Sequence, residues 1–115
     1  MRNIRHHALI ITCNDRKILD SIRNKAIELY KLHMEASNGS NLVSEIKDSI
    51  VNNYCSFFII PDGSKEGYDA SDDGDIIREK LIDHLKPLCK SDEYHLSFGE
   101  ISFGSDDGTT TFKHS

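Results

Sequence analysis

The chain has 115 residues, the size of one small domain, so we expect residues 1–115 to form a single folded unit. Its formal net charge of −5 excludes the basic field on which nonspecific nucleic-acid binding depends. The longest apolar run, Ala8 to Ile11, is far too short to span a membrane, and the residues after Met1 lack the pattern of a signal peptide. We therefore predict a cytoplasmic domain without a membrane partner.

The cysteines indicate a reducing compartment. Cys13, Cys55 and Cys89 are far apart in the sequence, and no two of them form a Cys-x-x-Cys pair. An odd number at this spacing favours reduced thiols over a disulfide framework or a zinc site. Because Cys13 and Cys55 lie in apolar runs, we predict them as small core residues. No cofactor is predicted.

The first half of the chain predicts a strand followed by a helix. Residues 6–13 are apolar on both faces, a pattern typical of a central strand. Asn14 and Asp15 are good capping residues, and apolar residues at three- and four-residue steps predict a helix from Asn14 to about Ser37. The segment 40–53 is less regular and predicts a short edge strand or an irregular connection.

The second half predicts a strand, a helix and another strand. Residues 54–60 form a second strand that is apolar on both faces. The helix is predicted from Ser71 to about Lys86, with Pro87 fixing its exit. In the last long strand, residues 94–103, the apolar residues change parity, so we predict a bulge at Gly99. Residues 109–112 could return as a short β tail.

The order β-α-β-β-α-β predicts a ferredoxin-like α+β sandwich. Its sheet would have four to five mostly antiparallel strands with two helices on one face. The two strands that are apolar on both faces would lie side by side at the centre of the sheet. The face left uncovered by the helices would then expose apolar side chains such as Ile10 or Phe58, which predicts a homo-oligomer, a dimer or larger, built on that face.

The polar segment from Pro61 to Asp75 is too long for a minimal connection and is rich in glycine, which allows close backbone approach. Lys65 could contact an anion, Tyr68 could stack on a base, and the amides at the following helix start could hold a phosphate. A solvated linker is the alternative interpretation. The predicted ligand-binding residues are Arg5, His6, Lys65, Tyr68, Ser71 and Arg78.

Oxygen-bearing residues alternate at Asp69, Ser71 and Asp73 and are followed by Gly74, which matches the first half of a calcium loop. The twelfth position of such a loop requires a bidentate Glu, and Lys80 occupies it here. We therefore predict the start of a capped helix at this position and no metal site.

Three histidines could take part in chemistry. His95 and Ser97 form the His-x-Ser pattern that two-histidine phosphoesterases use twice, but His7 has no hydroxyl residue two positions later. His6 and His7 are adjacent on a strand and point to opposite faces, so they cannot chelate one metal. No catalytic residues are predicted, and a small phosphodiesterase-like hydrolase using His95 and His7 remains an alternative.

Four segments resemble a family of small phage and prophage proteins. They are Arg5-His6-His7-Ala8 leading to Ile11-Thr12, the sequence PDGSKEGY at 61–68, the pattern SDxGDxxR at 71–78, and the pair His114-Ser115. Tyr68 stands where the family pattern has Trp. The resemblance transfers no catalytic residue; it implies a phage-like origin, action in the host cytoplasm, and antagonism of host defence or binding of one host partner.

The leading hypothesis is a non-enzymatic, oligomeric phage-type protein that sequesters a small (cyclic) nucleotide-like signal of host defence. The main alternative is an inhibitor of a host defence protein complex. Its acidic residues, from Asp69 to Asp75 and from Asp92 to Asp107, would mimic nucleic acid.

Overall fold

Among the residues that the structure describes, five antiparallel strands and two long helices build the fold. The computed structural model describes residues 5–34, 39–61, 63, 69–104 and 110–114, with the backbone alone described at 5, 69–71, 104 and 110–114. The elements are β1 (Arg5–Cys13), α1 (Arg16–Met34), a 3₁₀ turn (Gly39–Leu42), β2 (Lys47–Asp48), β3 (Cys55–Ile59), α2 (Asp69–Leu88), β4 (Leu96–Gly104) and β5 (Thr110–His114).

The strand order of the sheet is β2-β3-β1-β4-β5, and every neighbouring pair is antiparallel. Its first four strands have the ferredoxin-like order, which confirms the predicted α+β class. β1 and β3, the strands predicted as central, lie side by side. The irregular segment 40–53 contains both predicted alternatives, because a 3₁₀ turn precedes the two-residue edge strand β2.

The helices cover one side of the sheet, which we call the helix face. The apolar side chains that point there from the three central strands are buried at 7% exposure or less: Leu9, Ile11, Cys13, Cys55, Phe57, Ile59, Leu96 and Phe98. Against them pack the apolar stripes of the helices, including Leu19, Ile22 and Ala26 of α1 and Ile77, Leu81 and Leu85 of α2. The core therefore lies between the helices and one face of the sheet.

We call the opposite side of the sheet the open face. Along each strand, side chains that point to the open face alternate with side chains that point to the helix face. Its side chains are His6, Ala8, Ile10 and Thr12 of β1, Ser56, Phe58 and Ile60 of β3 and its extension, and Ser97, Gly99, Ile101 and Phe103 of β4. Phe58 is 42% exposed and Ile60 47% exposed. An uncovered apolar face is therefore present, as the sequence predicts.

The predicted bulge at Gly99 is wrong. β1 and β4 pair without interruption from Arg5 opposite Gly104 to Cys13 opposite Leu96, and Gly99 lies directly opposite Ile10. The parity of the apolar residues changes for another reason. Leu96 and Phe98 belong to the helix face, whereas Ile101 and Phe103 belong to the open face, so β4 uses both faces without a break in its pleat.

The helix boundaries differ slightly from those predicted. α2 begins at Asp69, two residues before Ser71, and continues through Pro87 to Leu88, so Pro87 lies inside the last turn instead of marking the exit. The carbonyl of Pro87 still accepts a bond from Lys90 N at 3.3 Å. In the described part of the chain, neither helix combines the length and apolar composition that crossing a bilayer requires.

The start of α1 is fixed by two short polar contacts. Asp15 Oδ1 accepts bonds from the backbone amides of Lys17 at 3.0 Å and Ile18 at 3.2 Å, which is the geometry of a helix cap. The preceding residue, Asn14, accepts a bond from His95 N at 2.8 Å through its side-chain oxygen. The end of β1 is thereby tied both to its helix and to the start of β4.

Substitution of Asp15 tests this cap. Asp15→Ala should lower the free energy of unfolding by about 1 kcal/mol, because two amides of the first turn lose their acceptor. Asp15→Asn retains a side-chain oxygen and should stay within about 0.3 kcal/mol of the natural chain. Urea unfolding followed by circular dichroism measures both, and an equal loss in the two variants would contradict the capping role.

Cys13 and Cys55 face each other across the β1–β3 ladder and are almost completely buried. None of the three cysteines, all within the described residues, forms a disulfide. Desolvation by burial raises the pKa of the Cys13 thiol and of the Cys55 thiol above the ordinary value. Both thiols are therefore small core groups, in agreement with the sequence prediction.

Thiol titration checks that conclusion. With an aromatic disulfide reagent at pH 8, we expect Cys89 to react first, since it is only half-buried, and Cys13 and Cys55 to react only on unfolding. The Cys89→Ser variant should lose the fast phase, and rapid reaction of all three thiols would contradict the burial.

The raised pKa of Cys13 and Cys55 also predicts a pH dependence of stability. A raised thiol pKa favours the protonated form in the folded state, so the free energy of unfolding should fall as the pH rises past the unfolded pKa of these two thiols.

Candidate functional site

A cavity of about 480 Å³ opens between α2 and the adjacent ends of β1 and β4. One stripe of α2, at three- and four-residue steps, forms one wall, and the helix-face side chains at the start of β1 and the end of β4 form the other. Its lining residues are His7, Asp75, Arg78, Glu79, Ile82, Asp83, Lys86, Glu100 and Ser102.

The cavity exists because the helix face changes from apolar to polar along two paired strands. On β4 the residues that follow Leu96 and Phe98 on this face are Glu100 and Ser102. On β1 the corresponding apolar series ends at His7, which lies opposite Ser102. Two neighbouring strands thus become polar at the same end of the sheet, where α2 passes over them.

Arg78 is the buried charge of this site. It is only 6% exposed, and its guanidinium forms an ion pair through Nη2 with Asp75, one turn earlier on α2. Its Nε lies 3.8 Å from Glu100 Oε2 on β4. A buried cation requires such partners, because removing it from water without compensation is costly. The pair with Glu100 also joins α2 to the sheet.

A second polar contact lies on the sheet side of the cavity. Ser102 Oγ and His7 Nδ1 are 2.8 Å apart, a short hydrogen bond between paired strands. His7 makes a further contact beyond this one. The ring is therefore held in a defined orientation at the wall of the cavity.

The predicted ligand-binding residues are only partly brought together. Arg78 lines the cavity, whereas His6 lies on the open face with its ring 5.1 Å from that of Phe103. The sheet separates His6 from Arg78, so they do not share a site, and His7 takes the place on the cavity side. Arg5 lies in β1 and Ser71 lies in α2, and only the backbone of these two residues is described. Lys65 and Tyr68 lie outside the described residues.

Most of the cavity lining was missed by the sequence analysis. Glu79, Asp83 and Lys86 continue the stripe of α2 that contains Arg78, and helical spacing alone could have identified them. Glu100 and Ser102 follow from strict alternation along β4, which the proposed bulge at Gly99 concealed.

The two-histidine phosphoesterase hypothesis is inconsistent with the fold. His95 lies beside Asn14, next to the end of β1, whereas His7 lies near the beginning of β1. Seven residues of extended strand separate these positions by roughly 23 Å, too far for both rings to act on one phosphodiester.

The partial calcium pattern also has a structural explanation. Residues 69, 71 and 73 belong to α2, so their backbone is helical and does not form a metal-binding loop. Within the ranges that the structure describes, no three His, Cys, Asp or Glu side chains are placed to hold a metal ion.

Comparisons with known proteins add little to this geometry. No protein-family model and no curated protein matches the sequence. Among solved structures, the whole chain aligns with 68% of the adenylyl cyclase CyaB from P. aeruginosa at 13% identity and a TM-score of 0.28. It also aligns with 66% of the guanylyl cyclase Cya2 at 13% identity and a TM-score of 0.22. Likeness at these TM-scores carries no functional argument.

Substitutions at Arg78 and Asp75 should separate the stability cost of losing a buried charge from the cost of losing an exposed one. Arg78→Met leaves Glu100, whose side chain is 18% exposed, without a cation, and should cost about 3 kcal/mol of unfolding free energy. Asp75→Asn should cost less than about 1 kcal/mol, because the Asp75 side chain is 59% exposed and its ion pair is screened by water. Urea unfolding measures both, and equal costs would contradict a buried link between α2 and β4.

Proposed function

We propose that this protein is a non-enzymatic binding domain that holds one small, nucleotide-like ligand in the cavity between α2 and the β1–β4 pair. The observation that supports this proposal is Arg78, which is 6% exposed and stands in the cavity wall with carboxylates on two sides. A buried cation in a concave site is a typical means of orienting a polar ligand.

The size of the cavity suits a small molecule. Ligand pockets commonly enclose about 300–1,000 Å³, and this cavity has about 480 Å³. The lining residues that the structure describes all belong to secondary-structure elements, so they are positioned before any ligand arrives. The binding geometry is therefore largely preformed, which reduces the entropic cost of binding.

The charges of the lining select among nucleotide-like ligands. Four acidic and two basic side chains give a formal charge of −2 when His7 is counted as neutral. The exocyclic amino groups of a base are donors that carboxylates accept, while Arg78 and Lys86 can contact a phosphate. A triphosphate would bring several negative charges into an already negative cavity. The site thus favours a ligand with one phosphate, such as a cyclic mononucleotide.

The proposal also includes a biological role. Sequestering such a signal in a host cell, as a phage-type anti-defence protein, is supported by the resemblance of the segments at 5–12 and 61–78. The predicted homo-oligomer remains part of the proposal, since the open face lies on the other side of the sheet and its contacts would leave the cavity accessible.

A second candidate is the inhibitor that mimics nucleic acid. It is favoured by a row of exposed carboxylates along one side of α2, Asp75, Glu79 and Asp83, at four-residue steps. Steps of four residues place successive acidic positions about 6 Å apart along the helix axis, which gives a regular line of negative charge.

Calorimetry against cyclic mononucleotides, cyclic dinucleotides, nucleosides and nucleoside triphosphates tests the proposed ligand class. We expect a cyclic mononucleotide to bind once per chain with a Kd below about 100 μM, and the triphosphates to bind more weakly. Lys86→Gln should weaken binding about tenfold because it removes a cation from the lining. Asp83→Asn should strengthen binding, because it removes a repelling carboxylate.

Lys17→Gln, an exposed change on α1 away from the cavity, serves as the matched control and should leave the Kd unchanged. If no member of the panel produces heat, the proposal of a nucleotide ligand is wrong. If Lys86→Gln and Lys17→Gln have equal effects on the Kd, the cavity is not the binding site.

A further inference from the structure

The open face of the sheet is nearly free of charge, although 29% of the chain is charged residues. On the three central strands it contains only apolar, small hydroxyl and glycine residues together with His6. At its edges, Lys47 of β2 lies opposite Ser56, and Thr110, Phe112 and His114 of β5 occupy the register positions opposite Phe103, Ile101 and Gly99. A face of this composition is suited to a neutral, apolar partner surface.

The exposed aromatic and aliphatic side chains cluster at one part of this face. Phe58 is 42% exposed and Ile60 is 47% exposed, and Ile10 lies directly opposite Phe58 on the neighbouring strand. Ile101 and Phe103 extend the apolar surface across β4 and are half-buried. Apolar side chains are thus continuous over β3, β1 and β4 instead of being scattered singly.

The dimensions of the face approach those of a small specific interface. β1 and β4 have nine residues each, β3 and β5 have five each and β2 has two; with a rise of about 3.3 Å per residue and a strand spacing of about 4.8 Å, they cover a footprint on the order of 500 Å². Two such faces in contact give a total on the order of 1,000 Å², the lower limit for a specific interface. A second copy supplies a face of the same size and the same lack of charge, so two copies are complementary without any charge pairing.

We infer that two copies of this chain pack open face against open face around a two-fold axis. The same residues would then form both sides of the contact, as in an isologous dimer. The result is a four-layer arrangement of helices, sheet, sheet and helices, in which both sheets are covered. The two ligand cavities lie in the outer layers, one per chain, and neither is shared between copies. This inference does not depend on what the cavity binds.

Sedimentation velocity or light scattering over a range of concentrations tests the dimer. The natural chain should show the mass of two copies, about twice 13.0 kDa. Phe58→Asp places a carboxylate from each copy in the apolar contact and should weaken association by at least about 100-fold. Ile60→Lys, at the neighbouring exposed position, should act in the same direction and guards against a folding defect in one variant.

Leu32→Asp is the matched control. Leu32 is 72% exposed on α1, on the other side of the sheet, so the variant introduces the same charge and should remain a dimer. Circular dichroism should show all three variants folded. A natural chain that is monomeric at every concentration overturns the inference, even if the open face binds another protein. So does a dimer that both open-face variants leave intact, or one that Leu32→Asp disrupts as strongly as they do.

Discussion

Nine uninterrupted residue pairs between β1 and β4 determine where every side chain of these two strands points. Because successive residues of a strand face opposite sides, a shift of one strand by one residue would move all of its side chains to the other face of the sheet. The register places Leu9, Ile11 and Phe98 in the core and Ile10 and Ile101 outside it. The core, the cavity and the open face are therefore consequences of one ladder.

Within that ladder, the polar end of the helix face requires electrostatic compensation. Glu100 and His7 lie where apolar side chains would otherwise continue the core, and α2 covers them. Arg78 brings the opposite charge from α2, with Asp75 on the same helix as a second partner. A buried ion pair of this kind contributes little net stability compared with apolar packing, but removing one partner is costly. Under the proposed function, the polar end would serve binding more than folding.

Much of the architecture is predictable from local pattern. The strand 6–13 and the strand 54–60 are apolar on both faces, which is enough to place them together at the centre, and the structure confirms their adjacency. The error at Gly99 shows the limit of such reasoning. The bulge was inferred from the change of parity between Phe98 and Ile101, which presumes that the apolar residues of this strand all face one side. In a sheet covered on one side, apolar residues also occupy the uncovered face.

That error explains why the candidate site was found only in part. Strict alternation through Gly99 assigns Glu100 and Ser102 to the helix face, and no residue pattern near them signals a cavity until α2 is placed above the strands. Arg78 was selected from a motif, but its partner Glu100 is 22 residues away in sequence and meets it only through tertiary packing. Likewise, the separation of His6 from Arg78 depends on which face α2 covers, a property that strand periodicity leaves undetermined.

β1 and β4 are the elements that the cavity and the open face have in common. The residues of β1 alternate between them, with His7 in the cavity wall and His6 and Ala8 on the other side. Since each peptide unit is rigid and the strand is held by ladders on both edges, a ligand at His7 could influence a partner on the open face only by moving β1 as a whole. Such a movement would break pairing with β3 and β4 together. The proposed ligand binding and the proposed self-association would thus be two independent properties of one sheet.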